Sequence, residues 1–405
     1  MYAIIVDSFS SGFEYLSELK KNDIKIVSVI SKKAKYLNFK EKIEDIIDEE
    51  EEYSDLIKKI KEYVENGKIL FCLPGSKSGV ELAEKIANTL QLKTNLKDFS
   101  RSRVNKYLMQ ERMKDCGLKS IKQTIVTHLD EEKYGFNYPV ILKPTQSAGS
   151  DAVCLCKSKK DLVYYLNTHL AELNKLGNVN NEVLMQEFIE GTEFIVDLAT
   201  YDQHSELIAM WEYEKQMLPE GAFIYSALKL LDSQHIYFQK LLKYSLDVIH
   251  ALGVRIGPSH VKIMMNKKEE LVLIDVGSCP HGGKSQFIMK ECLEYNQISR
   301  SLDLILKGTK VDRYYPKKYA QITFLISKKS GVFQKFSYLN ELKKLQGFSQ
   351  FFPYIFENEK LVNTMNLFTT PGIVIFIHKT EAVVKESVRQ FRALELQEDF
   401  YQTKI

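Results

Sequence analysis

The residue whose setting most clearly suggests a chemical use is a lysine at the end of an apolar run. Residues 138–153 read YPVILKPTQSAGSDAV, so Lys143 ends a strand pattern and a loop of small residues follows it. The backbone N–H groups of such a loop can surround a phosphate while the lysine supplies a point charge. The segment is not a P-loop, because the GxxxxGK[ST] spacing is absent and the lysine precedes the loop. A Lys-Pro pair at a strand end is often structural, so the phosphate hypothesis depends on the elements around it.

Those elements begin with alternating strands and helices. Apolar runs at residues 1–7, 24–30 and 69–73 predict strands, and the helical spacing of VELAEKIANTL predicts a helix within residues 79–90. This β/α alternation predicts a parallel sheet covered by helices. The acidic run at residues 48–52 is interpreted as the solvated face of an intervening helical stretch rather than as a metal site.

The same patterns continue along the chain, and residues 320–405 predict a smaller mixed α/β unit. The last two predicted strands form a hairpin through residues 266–270. The predicted strands are residues 140–143, 152–156, 183–188, 194–201, 260–265 and 271–276, and the predicted helices are residues 103–116, 160–170 and 238–252.

The composition is typical of a globular chain with two or three domains. The 405 residues are 44% hydrophobic and carry 56 basic and 53 acidic side chains, for a formal net charge of +3. Because no sign of charge dominates, nucleic acid is a poor candidate partner. Neither a signal peptide nor an apolar stretch of membrane-spanning length is evident, and the six cysteines form no CxxC pair. We therefore expect a reduced, cytoplasmic protein with no membrane partner.

Five segments in sequence resemble the ATP-grasp carboxylate-amine ligases, in the branch that includes the bacterial L-amino acid ligases. The resemblance runs from about residue 69 to residue 306 and more weakly to the C-terminus. It implies an α/β and α+β multidomain chain with an N-terminal parallel α/β domain, a two-lobed ATP-grasp unit and a C-terminal α/β lobe. The implied domains are residues 1–98, 99–190 (small lobe), 191–310 (large lobe) and 311–405. The five segments are residues 74–95, 102–123, 138–153, 185–197 and 257–283.

The resemblance also implies a nucleotide site. Two lysines match the residues that reach the phosphates, residues 145–150 match a flexible lid, and residues 186–189 match the hinge strand on which adenine rests. Glu193 matches the carboxylate that grips the ribose. The implied ATP-binding residues are Lys106, Lys143, Thr145, Ser147, Gly149, Ser150, Gln186, Glu187, Phe188, Ile189 and Glu193.

Two positions depart from the family pattern. The hairpin strands normally carry carboxylates for Mg²⁺, and Asp275 fits the second position, but Lys262 stands where the pattern has Glu. Lys262 either forms an ion pair with Asp275 or replaces the charge of one metal ion. Cys279 stands where the pattern has an arginine that stabilises the transferring phosphoryl group, and Lys284 or Arg255 is the candidate substitute.

The segment that faces the substrate in the family corresponds to residues 211–231. Its aromatic and charged side chains are candidates for substrate contact, as are Lys77, in a loop where an acidic residue is expected, and His281, beside two glycines. Each strand residue has an alternative role in packing against the large lobe. His281 is a candidate catalytic residue that either orients a substrate carboxylate or is a structural turn residue. The candidate substrate-binding residues are Lys77, Glu212, Tyr213, Lys215, Tyr225, Gly282 and Gly283.

The sequence therefore predicts an ATP- and Mg²⁺-dependent ligase that forms an amide through an acyl phosphate. Amino acids or short peptides are the expected small-molecule substrates, and a homodimer is a family-level expectation. The alternative is a catalytically impaired homologue that binds nucleotide or a partner protein without ligation. Lys262 and Cys279 favour this alternative, and the retention of Lys106, Lys143, Glu193 and Asp275 opposes it.

Overall fold

A computed structural model describes residues 1–36, 46–128, 135–147, 149–218, 221, 223–310 and 313–404. Ala148 of the predicted lid lies outside the described residues, as do residues 219, 220 and 222 of the predicted substrate segment. No helix within the described part of the chain is long and apolar enough to cross a membrane.

The N-terminal unit is a four-stranded parallel sheet of order β3-β2-β1-β4. Alternate residues of β1 pack into two separate cores, which is why its sequence is apolar throughout. The predicted parallel sheet is confirmed. The acidic run was placed wrongly, because Asp48 ends a strand and residues 49–52 precede the next helix. The elements are β1 Tyr2–Val6, α1 Glu14–Lys21, β2 Lys25–Ile30, β3 Ile46–Asp48, α2 Tyr53–Val64, β4 Ile69–Pro74 and α3 Val80–Thr89.

The next unit is an antiparallel sheet of order β5-β8-β6-β7, which we call the small sheet. Its first helix begins at Lys106 rather than at Arg103, because the Asn105 side chain accepts hydrogen bonds from the N–H groups of Tyr107 and Leu108. The elements are α4 Lys106–Asp115, β5 Gln123–Val126, β6 Val140–Pro144, β7 Cys154–Cys156, α5 Lys159–His169 and β8 Val183–Glu187.

The following elements build most of an eight-stranded antiparallel sheet, which we call the large sheet. Its first four strands have the order β13-β12-β9-β10, and the predicted hairpin is confirmed by the pairing of β12 with β13. The elements are β9 Gly191–Tyr201, β10 His204–Met217, β11 Phe223–Leu230, α6 Phe238–Ala251, β12 Ile256–Asn266, β13 Leu271–Gly277, α7 Ser285–Leu293 and α8 Gln297–Lys307.

The C-terminal residues extend the large sheet and add a smaller one. Strands β14, β18 and β16 continue the large sheet beyond β11, while β17, β15 and β19 form a three-stranded sheet. Strands from both sides of the predicted boundary at residue 310 thus share one sheet, and the domain boundaries stay predictions. The elements are β14 Tyr319–Phe324, β15 Gly331–Phe336, α9 Leu339–Lys343, β16 Phe348–Pro353, β17 Lys360–Leu361, β18 Gly372–His378, α10 Glu381–Glu395 and β19 Tyr401–Lys404.

Candidate active site

A cavity of about 430 Å³ lies between the small and the large sheet. Its walls come from α4, β6 and β8 on one side and from β9 to β13 on the other. One end is apolar and the other carries buried charges. The lid residues Ser147, Gly149 and Ser150 line it as well.

The apolar end has the shape and chemistry of a slot for a flat ring. Phe188 and Phe223 stack with ring centres 6.2 Å apart and 24° between their planes. All four predicted hinge residues line this cavity, and Met217, Met264 and Ile274 complete its apolar wall. Aromatic and thioether side chains pack well on a π-system, while the backbone of the hinge offers polar groups at its edge.

Two lysines of the small lobe reach the charged end. The Lys106 ammonium donates to the carbonyl oxygen of Ser147 at 2.8 Å, so the first residue of α4 holds the lid. Burial lowers the pKa of Lys106 to about 7 and that of Lys143 to about 8; Asp275 opposes the shift, and neighbouring lysines add to it. A bound phosphate would restore the charge of both lysines.

Glu193 is the buried counter-ion of two other lysines. Its Oε2 lies 2.6 Å from the Lys215 ammonium, and its Oε1 lies 3.9 Å from that of Lys262. The Tyr225 hydroxyl also donates to Oε1, at 3.4 Å. Burial alone would raise the pKa of Glu193, but Lys215 and Lys262 outweigh it and lower that pKa. Lys215 and Tyr225, predicted to contact substrate, thus meet Glu193 inside the cavity.

Asp275 pairs with Lys77 rather than with Lys262. The Lys77 ammonium lies 2.5 Å from Oδ2 of Asp275, although 198 positions separate the two residues. Burial would raise the pKa of Asp275, but Lys77 and Lys106 outweigh it and lower that pKa. Oδ1 is buried and has no hydrogen-bond partner among the described residues. The predicted Lys262–Asp275 ion pair is therefore replaced by two separate pairs.

These residues do not fit a magnesium ion held by protein carboxylates. At the charged end, among the described residues, Oδ1 of Asp275 is the carboxylate oxygen without a hydrogen-bond partner, and Lys262 is the cross-strand partner of Asp275. A unit positive charge about 4 Å from a divalent cation repels it by about 8 kcal/mol at an effective dielectric constant of about 20. Within the described ranges, no group of three or more His, Cys, Asp or Glu side chains could hold a metal.

The lid has one position where glycine is needed. Gly149 has φ of +64°, and a side chain there would come within 2.7 Å of the Phe368 ring. The next residue, Ser150, donates a hydrogen bond to the Tyr225 hydroxyl oxygen at 3.1 Å. Thr145 is buried but does not line the cavity; its carbonyl oxygen accepts from the Lys106 N–H at 2.9 Å.

The predicted substitutes for the missing arginine lie elsewhere. Arg255 precedes β12 and lines a separate cavity with Asp202 and His204. Lys284 caps α7 on the surface, with its ammonium 4.8 Å from the ring centre of Phe352. Neither is among the described residues around the lysine-rich cavity, so the structure places both away from Lys106 and Lys143.

Cys279 is a buried thiol packed against Val80 and Val104. Burial raises its pKa to about 12, and Lys77 partly opposes this shift. The thiol is therefore protonated at neutral pH and supplies no charge to a transferring phosphoryl group.

His281 belongs to a buried network behind the charged end. Its Nδ1 lies 3.1 Å from Oδ2 of Asp197, and the same oxygen accepts from the Trp211 indole N–H at 2.6 Å. His281 does not line the cavity, and neither do Gly282 or Gly283. The predicted roles of these three residues stay predictions.

Strand alternation separates the remaining candidates on β10. Tyr213 is buried with its ring centre 4.3 Å from that of Tyr225, beside the cavity. Glu212 points to the opposite face, where its Oε2 lies 3.9 Å from His235. Glu212 therefore lies away from this cavity, and its predicted contact with substrate stays a prediction.

Several residues that line the cavity, most of them apolar, were not predicted from the sequence. Alternation along β11 could have identified Phe223, because Phe223 and Tyr225 share a face. The missed lining residues are Ile121, Ile141, Val153, Glu190, Gly191, Met217, Phe223, Met264 and Ile274.

The chain matches one domain family and is similar in sequence to a synthase and a ligase. Residues 136–287 match the family described as "ATP-grasp domain". Dapdiamide A synthase of Enterobacter agglomerans is 30% identical over 341 residues, covering 81% of this chain and 79% of the synthase. The L-arginine-specific L-amino acid ligase of Bacillus subtilis is 23% identical over 252 residues, covering 60% of this chain and 59% of the ligase.

A solved structure extends the likeness to the whole fold. The L-amino acid ligase from Bacillus licheniformis superposes with a TM-score of 0.81 and 16% identity, covering 100% of this chain and 99% of the ligase. At this identity the likeness concerns the fold, and it confirms the predicted fold class.

Proposed function

Because the chain belongs to the ATP-grasp family, in which it is an ATP-dependent ligase that forms carbon–nitrogen bonds, we propose that it joins two amino acids or short peptides through an amide. One substrate supplies the carboxylate and the other supplies the amine. The names of the two L-amino acid ligases support this substrate class. The observation that carries the proposal is the cavity in which Lys106 and Lys143 of the small lobe face Asp275 beside an apolar slot.

The reaction has two steps in this proposal. A carboxylate oxygen of the first substrate bonds to the γ-phosphorus of ATP, and the bond to the bridging oxygen of ADP breaks. The amine nitrogen of the second substrate then attacks the acyl carbon, phosphate leaves with the C–O bond pair, and the nitrogen gives its proton to solvent. The products are an amide, ADP and phosphate.

The chain's own residues serve this chemistry in three ways. Lys106 and Lys143 bind the phosphates and spread the negative charge that builds up during transfer. The hinge from Gln186 to Ile189 orients the base, and the lid keeps water away from the acyl phosphate. The ribose contact of Glu193 stays a prediction. These residues do not fit a protein-bound magnesium ion, because Lys77 pairs with Asp275 and Lys262 lies opposite Asp275 on the neighbouring strand.

The second candidate function is nucleotide binding without ligation. Two observations favour it: Lys262 lies in the cavity at a position where the family pattern has a carboxylate, and the neutral Cys279 thiol stands where that pattern has a cation. An assay of ADP and phosphate release separates this candidate from the ligase.

The test is release of ADP and phosphate from ATP over a matrix of amino-acid pairs, with mass detection of the amide. We expect release that requires a pair and is lost in Lys143→Ala. The matched control is Lys243→Ala, since Lys243 is 79% exposed on α6. Measurable ATP binding without release for any pair would replace the ligase by the non-catalytic candidate.

The predicted homodimer and the predicted cytoplasmic location stay predictions. Sedimentation of the purified chain would test the former.

A further inference from the structure

Lys262 is held in place by groups on three strands. Its ammonium lies 3.9 Å from Oε1 of Glu193, 5.2 Å from the ring centre of Tyr213 and 5.5 Å from that of Tyr225. Its cross-strand partner on β13 is Asp275. Because a carboxylate and two aromatic faces already fix the charge, little side-chain entropy remains to be lost when a phosphate binds.

The carboxylate that could have received a metal is occupied by a second ammonium. Lys77 lies 2.5 Å from Oδ2 of Asp275, and only 11% and 14% of the two side chains are exposed. A metal bound at this oxygen would have to displace Lys77 and leave its charge buried without a partner. Leaving Lys77 unpaired is unfavourable, because a buried charge without its counter-ion destabilises the protein.

The net charge at the charged end of the cavity also disfavours a bound metal ion. Five lysines, at positions 77, 106, 143, 215 and 262, lie around the carboxylates of Glu193 and Asp275 in the described part of the site. With all five lysines protonated beside phosphates, the cluster has an excess of three positive charges. That excess complements a nucleoside triphosphate free of metal better than its magnesium complex, in which the metal has already cancelled two negative charges.

We propose that the ammonium groups of Lys262 and Lys77 replace a divalent cation here, so that the site binds a nucleoside triphosphate free of metal. The inference rests on the proposed function only for the identity of the ligand as a nucleotide. It concerns binding and adds no chemical step.

The test is the dissociation constant of ATP for the full chain, measured by calorimetry in excess EDTA and again in excess MgCl₂. We expect the affinity in EDTA to equal or exceed that in MgCl₂. Affinity weaker by about tenfold or more in EDTA would overturn the inference while leaving the proposed ligase intact. No ATP binding in either buffer would overturn both. Tight binding in EDTA, together with no release of ADP for any amino-acid pair in either buffer, would support the inference and overturn the ligase.

Variants of Lys262 give an independent measurement. In EDTA, Lys262→Met should weaken ATP binding by about 10- to 100-fold, the usual effect of losing a charged hydrogen-bond donor. Lys262→Glu should weaken it further and regain affinity when MgCl₂ is added. The matched control is Lys243→Glu, an equal charge reversal at a surface lysine, which should change neither value. Unchanged binding in Lys262→Met would contradict the inference, and melting curves of each variant check that it is folded.

Discussion

The two ends of the cavity depend on different kinds of interaction. At the apolar end, Phe188, Phe223 and Met264 provide surface that several other side chains could replace. At the charged end, each carboxylate has its own ammonium: Glu193 has Lys215, and Asp275 has Lys77. Dispersion contacts tolerate exchange, whereas a buried ion pair loses most of its stabilisation when one partner is removed.

This difference determines what a departure from the family pattern requires at each end. In the proposed site the hinge would bind a base through its backbone, so its side chains could vary with little effect. Around the phosphates the total charge must match the ligand, so a change from carboxylate to lysine at position 262 requires compensation nearby. Glu193 supplies part of it at 3.9 Å.

The largest expected effect is on stability. Glu193→Ala leaves Lys215 and Lys262 buried without their carboxylate, so it should lower the free energy of unfolding by about 3 kcal/mol. The matched control is Glu190→Ala, which removes a similar pair with Lys267, at 2.7 Å, on a surface where the glutamate side chain is 64% exposed. That loss should stay below about 1 kcal/mol. Urea denaturation measures both values, and equal losses would remove the distinction between buried and exposed pairs.

The sequence predicted the parts of the fold that depend on local pattern. Alternation and spacing were sufficient for the parallel N-terminal sheet and for the hairpin of β12 and β13. They could not show that β14, β18 and β16 continue the large sheet. Edge strands with the same alternation are interchangeable as partners, so the choice is made by tertiary packing.

The site was predicted in part, for a comparable reason. Lys106, Lys143 and the hinge came from motifs that are contiguous in sequence. The pair of Lys77 with Asp275 joins residues 198 positions apart, and no local pattern encodes it. Arg255 was misplaced for the same reason, since its nearness in sequence to β12 does not bring it to the phosphate end of that strand.

The dependence of ATP affinity on pH should distinguish the two ends of the cavity. In the nucleotide-free protein, burial lowers the pKa of Lys106 to about 7 and that of Lys143 to about 8, and phosphate must raise both. Above these values the lysines are neutral and binding must take up protons, so affinity falls as pH rises. Between pH 7.5 and 9 we expect ATP affinity to fall by at least about tenfold, because each proton taken up contributes up to tenfold per pH unit.

Adenosine is the matched control ligand, since it fills the apolar end without phosphates and its affinity should not change over this range. Calorimetry in buffers of different ionisation enthalpy should show proton uptake for ATP alone. Lys106→Met should flatten the ATP profile. An equal fall for adenosine would mean that the pH effect arises outside the charged end.

The smallest expected effect is at the apolar end. Phe223→Leu keeps an apolar side chain but removes the ring that stacks on Phe188, with centres 6.2 Å apart. Binding of ATP and of adenosine should weaken by the same factor, about 2- to 10-fold, the worth of an aromatic contact beyond its area. Phe13→Leu, the same change at a 38% exposed ring of the N-terminal unit, is the control. A larger loss for ATP than for adenosine would show that Phe223 acts on the phosphates and that the two ends are not independent.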